Sequence, residues 1–279
     1  MIDIQISKEI SNLINTELLS ISNSDVYNLL DKEIKVADLN QIFKSLLQNK
    51  SQLKNVGIDL PLSFGDYHSA INKTMVVALD PKRNDKSNAI HNKKTPVEIS
   101  IGSIFSLHTE EGKKTGKNSY WDFISYISNS GFVYVTDIYK IYYETKDETG
   151  QILLSNKDKA LINKDKALIA AKISPYEQNV SILKKEIEII KPDRIITLGK
   201  DAKNAVKKIL ELPENNDEVI MKHNGKEFVF LPHISTTVTQ SIKTIGDLYK
   251  GLGIITNQQE IISIGVHLLA NRKIEDILK

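Results

Sequence analysis

Short apolar runs alternate with amphipathic helical segments along most of the chain, and this alternation restricts the fold more than any other feature. Apolar runs bounded by turn residues are typical of buried strands, and apolar residues at three- and four-residue steps are typical of helices. Strands are predicted at residues 75–79, 97–101, 131–135, 194–198 and 228–231, and helices at 121–127, 175–190 and 202–210. Such alternation indicates an α/β fold, here three α/β/α layers around a mainly parallel central sheet.

The N-terminal part of the chain has a different pattern. Residues 1–70 are predicted to form a helical extension packed on a main domain of residues 71–279, because apolar residues such as Ile10, Leu13 and Leu18 recur at helical spacing. A loop is predicted from the turn-forming residues Gly57, Pro61 and Gly65.

A lysine-rich segment at residues 144–172 interrupts the main domain. It contains the sequence NKDKALI twice in tandem, at 156–162 and 163–169. This repeat favours a solvated amphipathic helix in a tolerant surface insertion over a DNA-binding arm. The segment from residue 242 onward is predicted to be helical and to cover the sheet.

Composition limits the chemistry that the chain can perform. It has no cysteine, which excludes disulfides, thiolate nucleophiles and metal clusters held by cysteine. Its formal net charge is +2, so contacts with nucleic acid would need local clusters of basic residues. Nothing approaches the roughly 18 consecutive apolar residues of a membrane span, and the N-terminus lacks an apolar signal core. We therefore expect a cytoplasmic protein with no membrane partner.

Five short segments occur in the order and spacing that a base-excising DNA enzyme would need. They are residues 78–81 (ALDP), 102–106 (GSIFS), 133–137 (VYVTD), 191–199 (KPDRIITLG) and 231–235 (LPHIS). Together they resemble the uracil-DNA glycosylase superfamily. The resemblance implies that superfamily's α/β fold, a DNA partner and no cofactor or metal, and the absence of cysteine separates this chain from the iron–sulfur members.

Asp80 and His233 are the candidate catalytic residues. Hydrolysis of an N-glycosidic bond develops positive charge on the sugar and negative charge on the leaving base, so it needs a carboxylate and a donor. The resemblance implies that Asp80 orients water and stabilises the sugar cation, and that His233 stabilises the leaving base. Either residue alone is ordinary, since Asp-Pro is a common turn and a lone histidine is usually structural. They can act together only if both follow strand ends at one edge of the sheet.

Phe105 matches the aromatic residue on which the flipped base stacks. Such stacking is worth about 1–3 kcal/mol per base and tolerates any sequence. The alternative for Phe105 is a plain core phenylalanine. Residues 191–199 match a segment that supports the fold and has no chemistry of its own.

Asp137 is an informative departure from the family pattern. Uracil-removing members usually have an asparagine here, whose amide can donate to O4 of uracil. An ionised aspartate only accepts, which suits the N4 amino group of cytosine. The chain therefore favours a cytosine-type base, although a shift of one residue would put Thr136 at this position.

A second departure lies two residues after Asp80. The tyrosine that excludes C5-substituted bases in strict uracil enzymes is replaced by Lys82, which leaves room for a large polar C5 group. Alternatively, Lys82 or Arg83 contacts a phosphate. Ala78 replaces the usual glycine and slightly restricts the backbone beside the base.

The loop after His233 resembles the one that enters the minor groove. Ser235 and Thr236 are the expected phosphate contacts, and Thr237 or Val238 is the expected wedge. Ile234 replaces the usual proline, which leaves the shape of this loop open.

These features predict a monomeric, monofunctional DNA glycosylase that excises a cytosine-type base modified at C5, such as a hypermodified phage base. Antiviral defence is a coherent role for such an enzyme. Two alternatives stay open, namely a uracil-DNA glycosylase of base-excision repair and a catalytically silent DNA-binding relative.

Overall fold

The fold combines five helices and eleven strands in the part of the chain that the computed structural model describes, which comprises residues 4–21, 25–48, 53–79, 98–114, 119–128, 131–146, 152–154, 175–213 and 220–231. The helices are α1 (Ile4–Glu17), α2 (Gln41–Gln48), α3 (Ser119–Ser128), α4 (Pro175–Ile190) and α5 (Lys200–Ile209). The strands are β1 (Glu33–Lys35), β2 (Leu53–Leu60), β3 (Leu62–Phe64), β4 (Lys73–Ala78), β5 (Glu98–Ser103), β6 (Phe132–Asp137), β7 (Ile141–Lys146), β8 (Ile152–Leu154), β9 (Arg194–Leu198), β10 (Ile220–His223) and β11 (Lys226–Leu231).

These strands form two mixed sheets. The larger sheet has the order β10-β11-β9-β4-β6-β3, in which the inner strands β11, β9, β4 and β6 are parallel and the outer strands pair antiparallel. The smaller sheet has the order β1-β5-β2-β7-β8, in which β2 and β5 are parallel and the other neighbours antiparallel. The predicted α/β class is confirmed, and both sheets mix parallel and antiparallel strands.

The parallel strands of the larger sheet bring several chain segments to one edge. After β4 the chain forms β6 on one side of β4, and it then forms β9 on the other side. Ligands of open α/β sheets bind outside the carboxyl ends of strands at such a reversal of strand order. Strands β4, β6, β9 and β11 all end at this edge.

The two faces of the larger sheet pack against different helices. Along β4, Met75 and Val77 belong to the core that contains residues of α1, α4 and α5. Val76 and Ala78 belong to the core that contains residues of α3. We call these the α4 face and the α3 face. Side chains alternate between them, as the pleat of a strand requires.

The N-terminal prediction is partly wrong. Helices α1 and α2 confirm the helical pattern, but the loop predicted around Gly57 and Pro61 is instead the pair of strands β2 and β3. Gly57 lies at an irregularity in the pairing of β2 with β7, where glycine is favoured, and Pro61 lies between the two strands and outside both ladders. Both residues therefore interrupt strands rather than form a loop.

The lysine-rich segment is described only in part. Residues 144–146 end β7 and residues 152–154 form β8, so the beginning of this segment belongs to the smaller sheet. The tandem repeat at 156–169 and the predicted C-terminal helix lie outside the described residues.

Candidate active site

Ala78 and Asp137 are neighbours at the carboxyl edge of the larger sheet. They are the last residues of β4 and β6 and are paired in the ladder between these strands. Asp137 is buried, with 3% of its surface exposed. The pairing puts the end of β6 beside the point where the chain continues toward Asp80.

The side chains of Thr136 and Asp137 lie on opposite faces of the larger sheet. Thr136 lies on the α4 face, where its hydroxyl is 3.1 Å from Glu186 Oε1. Val133 and Val135 belong to the core on the α3 face, so strand alternation puts Asp137 there as well. Of the two residues that the sequence left open, Asp137 thus shares a face with Ala78.

Phe105 lies on a tight turn that packs against this same α3 face. The turn consists of residues Ile104–Ser106 and directly follows β5. Phe105 is half-buried and packs against the core that contains Ala78 and Val135. Strand β6 and the Phe105 turn therefore meet on one side of the sheet.

The backbone of this turn is strained. Phe105 has φ +54° and Ser106 has φ +58°, which is the left-handed region that bulky residues rarely adopt. Each such residue costs about 1–3 kcal/mol and persists only where its surroundings enforce it. Strain of this kind is concentrated at functional sites, so the turn is a reasonable place for a residue that contacts substrate.

A hydrogen-bonded chain of three side chains closes the turn. His108 Nε2 is 2.9 Å from Asp31 Oδ1, and His108 Nδ1 is 2.6 Å from Ser103 Oγ. Because a carboxylate can only accept, Nε2 carries a proton and donates it to Asp31. Ser103 Oγ also accepts from the backbone N–H of His108 at 3.1 Å. Asp31, His108 and Ser103 form what we call the turn clamp.

Contacts with the carbonyl of Ser106 hold the other half of the turn. The carbonyl of Ser106 accepts from the backbone N–H and the hydroxyl of Thr109, at 3.2 and 3.1 Å. Gly112 passes so close that a Cβ atom there would lie 1.9 Å from the Ser106 oxygen. Any larger residue at position 112 would displace the turn.

The turn clamp has the residue types of a serine hydrolase but not the necessary access. A nucleophilic serine must reach its substrate, with its hydroxyl directed toward the reacting carbon. Ser103 is 2% exposed, and its oxygen is held by two contacts with His108. The geometry therefore supports a structural role for the turn clamp, which is to position Phe105.

Loss of the turn clamp is expected to destabilise the protein measurably. His108→Ala removes contacts of a half-buried imidazole with Ser103 and Asp31, so we expect a loss of about 1–2 kcal/mol in the free energy of unfolding. Asp31→Ala removes only the exposed end of the clamp, since the Asp31 side chain is 72% exposed, and it should cost less than about 1 kcal/mol. Urea denaturation followed by circular dichroism measures both, and a loss below about 0.5 kcal/mol for His108→Ala would contradict the clamp.

Phe105 already has an aromatic neighbour. Its ring stacks on Tyr120 with centroids 3.7 Å apart and an interplanar angle of 9°. Next to Tyr120 in sequence, Trp121 contacts Phe64 edge to face at 5.5 Å. No local pattern predicts that Tyr120 packs on Phe105, because 15 residues separate them in the chain. The stacking of a base on Phe105 stays a prediction.

A buried polar network occupies the α4 face behind Asp137. Lys140 and Glu186 form an ion pair of 2.8 Å between Nζ and Oε2, with side chains 1% and 0% exposed. The Tyr134 hydroxyl donates to Glu186 Oε1 at 2.9 Å. Lys140 lies three residues after the end of one of the five segments, and no sequence pattern indicated a role for it or for Glu186.

Burial and the nearby Glu186 carboxylate raise the pKa of Tyr134 well above its ordinary value of 10.0. The unfolded state therefore loses this proton first, so the stability that Tyr134 contributes is present below about pH 10 and falls at higher pH. We expect the urea midpoint of the protein to fall as the pH rises above about 10. Tyr134→Phe should show a shallower fall, and identical slopes for the two proteins would contradict the assignment.

Most of the other candidate residues lie outside the described residues. They are Asp80, Lys82, Arg83, His233, Ser235, Thr236, Thr237 and Val238. The structure does describe the ends of the strands that precede them. Strand β4 ends two residues before Asp80, and β11 ends two residues before His233.

Two features are absent from the described part of the chain. Among those residues there is no group of three or more histidine, cysteine, aspartate or glutamate side chains that could hold a metal ion. None of the helices in the same ranges is long and apolar enough to cross a membrane.

No protein-family model matches the sequence, and no curated protein matches it either.

Proposed function

We propose that this chain is a monofunctional DNA glycosylase that flips a cytosine-type base, modified at C5, and hydrolyses its bond to deoxyribose. The three-layer fold of the uracil-DNA glycosylase superfamily, a monomeric state, a cytoplasmic location and a role in antiviral defence belong to the same proposal. One observation carries it most. Asp137 is the last residue of β6, and Asp80 and His233 come two residues after β4 and β11, which are parallel to β6 and end at the same edge of the larger sheet.

The spacing of these strands suits a shared substrate. Strand β6 is the direct neighbour of β4, and β9 alone separates β4 from β11. Neighbouring strands lie about 4.8 Å apart, so the ends of β4 and β11 are about 10 Å apart across the sheet. A nucleotide held at this edge could contact groups that follow each strand.

In the proposed mechanism the reacting bond lies between Asp80 and His233. Asp80 directs water to the anomeric carbon and stabilises the positive charge on the sugar as the bond to the base breaks. His233 donates to the leaving base and stabilises its negative charge. Water supplies the hydroxyl of the abasic sugar, and its proton leaves through Asp80. No step requires a metal or an amine nucleophile.

Asp137 is proposed to select the base. A buried carboxylate accepts a hydrogen bond from the N4 amino group of cytosine, whereas the O4 atom of uracil offers it only another acceptor. Phe105 supplies a stacking surface on the same side of the sheet. Lys82 leaves room for, or donates to, a polar group at C5, while Arg83 and residues 235–238 contact the DNA strand.

The Asp137→Asn variant tests this selection directly. We expect weaker excision of the cytosine-type base and stronger excision of uracil, with a change in preference of about 1–3 kcal/mol, because the amide restores a donor toward O4. Matched oligonucleotides with uracil, cytosine, 5-hydroxymethylcytosine or its glucosylated form, scored for abasic sites, measure the preference.

Asp193→Asn is the control for this experiment. Asp193 accepts from the backbone N–H of Lys73 at the opposite, amino edge of the same sheet, so its amide variant should keep the original preference. Strong uracil excision by the unmodified protein, with none on any cytosine derivative, would replace our proposal with uracil repair. Binding of DNA without excision of any base would favour the catalytically silent relative.

A further inference from the structure

We propose that Lys140 and Glu186 are positioning residues that fix the two strand ends from which Asp80 and Asp137 extend. Their buried ion pair lies on the α4 face, opposite to the face that carries Asp137 and Phe105. Neither side chain can touch a substrate held at the α3 face. The catalytic consequence rests on the function proposed above, while the structural consequence does not.

Lys140 is fully engaged by its surroundings. An ammonium group has three protons to donate. Its Nζ atom lies 2.5 Å from Thr136 Oγ1, 2.5 Å from the backbone carbonyl of Asp137 and 2.8 Å from Glu186 Oε2. Three acceptors thus match three donors, and one of them is the main chain of Asp137 itself.

Helix α4 holds Lys140, three residues after the end of β6, at two points. Asn179 Oδ1 accepts from the backbone N–H of Lys140 at 2.9 Å, and Glu186 holds the side chain of the same lysine. Asn179 and Glu186 are seven residues apart, which puts them on one side of the helix two turns from each other. The helix therefore fixes both the backbone and the side chain of Lys140.

The same arrangement extends to the residues before Asp80. The backbone N–H of Ile138 donates to the carbonyl of Ala78, and that of Tyr139 donates to Leu79, each at 3.0 Å. Ile138 and Tyr139 lie between Asp137 and Lys140, whose positions the ion pair fixes. Glu186 and Lys140 consequently determine the position of Leu79, the residue before Asp80.

Stability alone does not explain a charged pair at this location. Replacing a buried ion pair with apolar residues of similar volume is often neutral or stabilising. A network of directed hydrogen bonds, in contrast, restricts the backbone atoms that it contacts. We infer that the pair is needed for the geometry of the strand ends.

The test is the apolar double variant Lys140→Met/Glu186→Leu in the full chain. We expect a folded protein in which the amides of Ile138 and Tyr139 exchange with solvent about tenfold or more faster than in the wild type, as measured by NMR. Amides of the β9–β11 ladder should exchange at unchanged rates. For excision we expect kcat to fall by about tenfold or more with KM for DNA within about twofold, because binding contacts stay and alignment is lost.

A second ion pair in the same sheet provides the matched control. Arg194 and Glu227 pair across β9 and β11 at the amino edge, with Nε 2.5 Å from Oε1. Arg194→Met/Glu227→Leu should leave both the two amides and kcat unchanged. Lys140→Met/Glu186→Gln also leaves no buried charge and keeps an amide oxygen that can accept from the Tyr134 hydroxyl, so it serves as the second variant if the first does not fold and should show the same faster exchange of the two amides.

Two results would overturn the inference. One is unchanged exchange of Ile138 and Tyr139 in the folded variants, and the other is faster exchange accompanied by an unchanged kcat. If the wild-type protein excises no base, the proposed function fails, and the exchange rates still decide whether the pair positions the strand ends.

Discussion

Replacing Asp80 with asparagine is expected to lower single-turnover base excision by about 10²- to 10³-fold or more while the fold and the affinity for DNA are retained. The carboxylate is proposed to stabilise a cationic sugar, which exists only near the transition state, so its loss affects the rate rather than binding. Rapid-quench assays on oligonucleotides that contain the preferred base measure the rate, and fluorescence anisotropy measures the affinity.

Two further variants are compared with Asp80→Asn, one at the second proposed catalytic residue and one as a control. His233→Ala should also reduce excision, by less than Asp80→Asn if water can donate to the leaving base in its place. Asp193→Asn makes the same chemical change at the opposite edge of the sheet and should keep the full rate. A wild-type single-turnover rate in the Asp80 variant would show that the catalytic carboxylate lies elsewhere.

The second large effect concerns stability. Lys140→Met removes the cation beside Glu186, whose carboxylate is 0% exposed, and leaves an uncompensated buried charge. Removing one partner of a buried pair typically costs about 3–5 kcal/mol. Urea denaturation at neutral pH measures the loss of unfolding free energy.

The double variant separates charge from packing. Lys140→Met/Glu186→Leu should recover most of that loss, because no buried charge is left without its partner. Its stability should therefore be closer to that of the wild type than to that of Lys140→Met. A single variant that lost less than about 1 kcal/mol would show that Glu186 finds another partner or takes up a proton.

Local pattern in the sequence was sufficient for the elements on which the site is built. Strands β4, β6, β9 and β11 each contain a short apolar run, and helix α4 has the predicted bounds of residues 175–190. Periodicity of two or about 3.6 residues depends on neighbours a few positions away, so the sequence alone can reveal it. The same pattern indicated an α/β protein with polar candidates at strand ends.

Tertiary structure decided what depends on residues far apart in the chain. The sequence predicts a loop where β2 lies because Gly57 and Pro61 are turn-forming residues, whereas pairing with β5 and β7 makes this segment a strand. The contact between Asp31 and His108 spans 77 residues, and that between Lys140 and Glu186 spans 46. No local pattern encodes such pairs.

The choice between Thr136 and Asp137 shows most clearly what the sequence determines and what the tertiary structure determines. The sequence by itself determined that β6 ends in Thr-Asp, and neither residue type alone indicates which one faces a substrate. The structure puts the Thr136 hydroxyl beside Glu186 on the α4 face, and strand alternation then turns Asp137 toward the face that carries Phe105. The physical reason is that a one-residue shift exchanges the two faces of a strand, so only packing against a helix far away in the chain can fix the register.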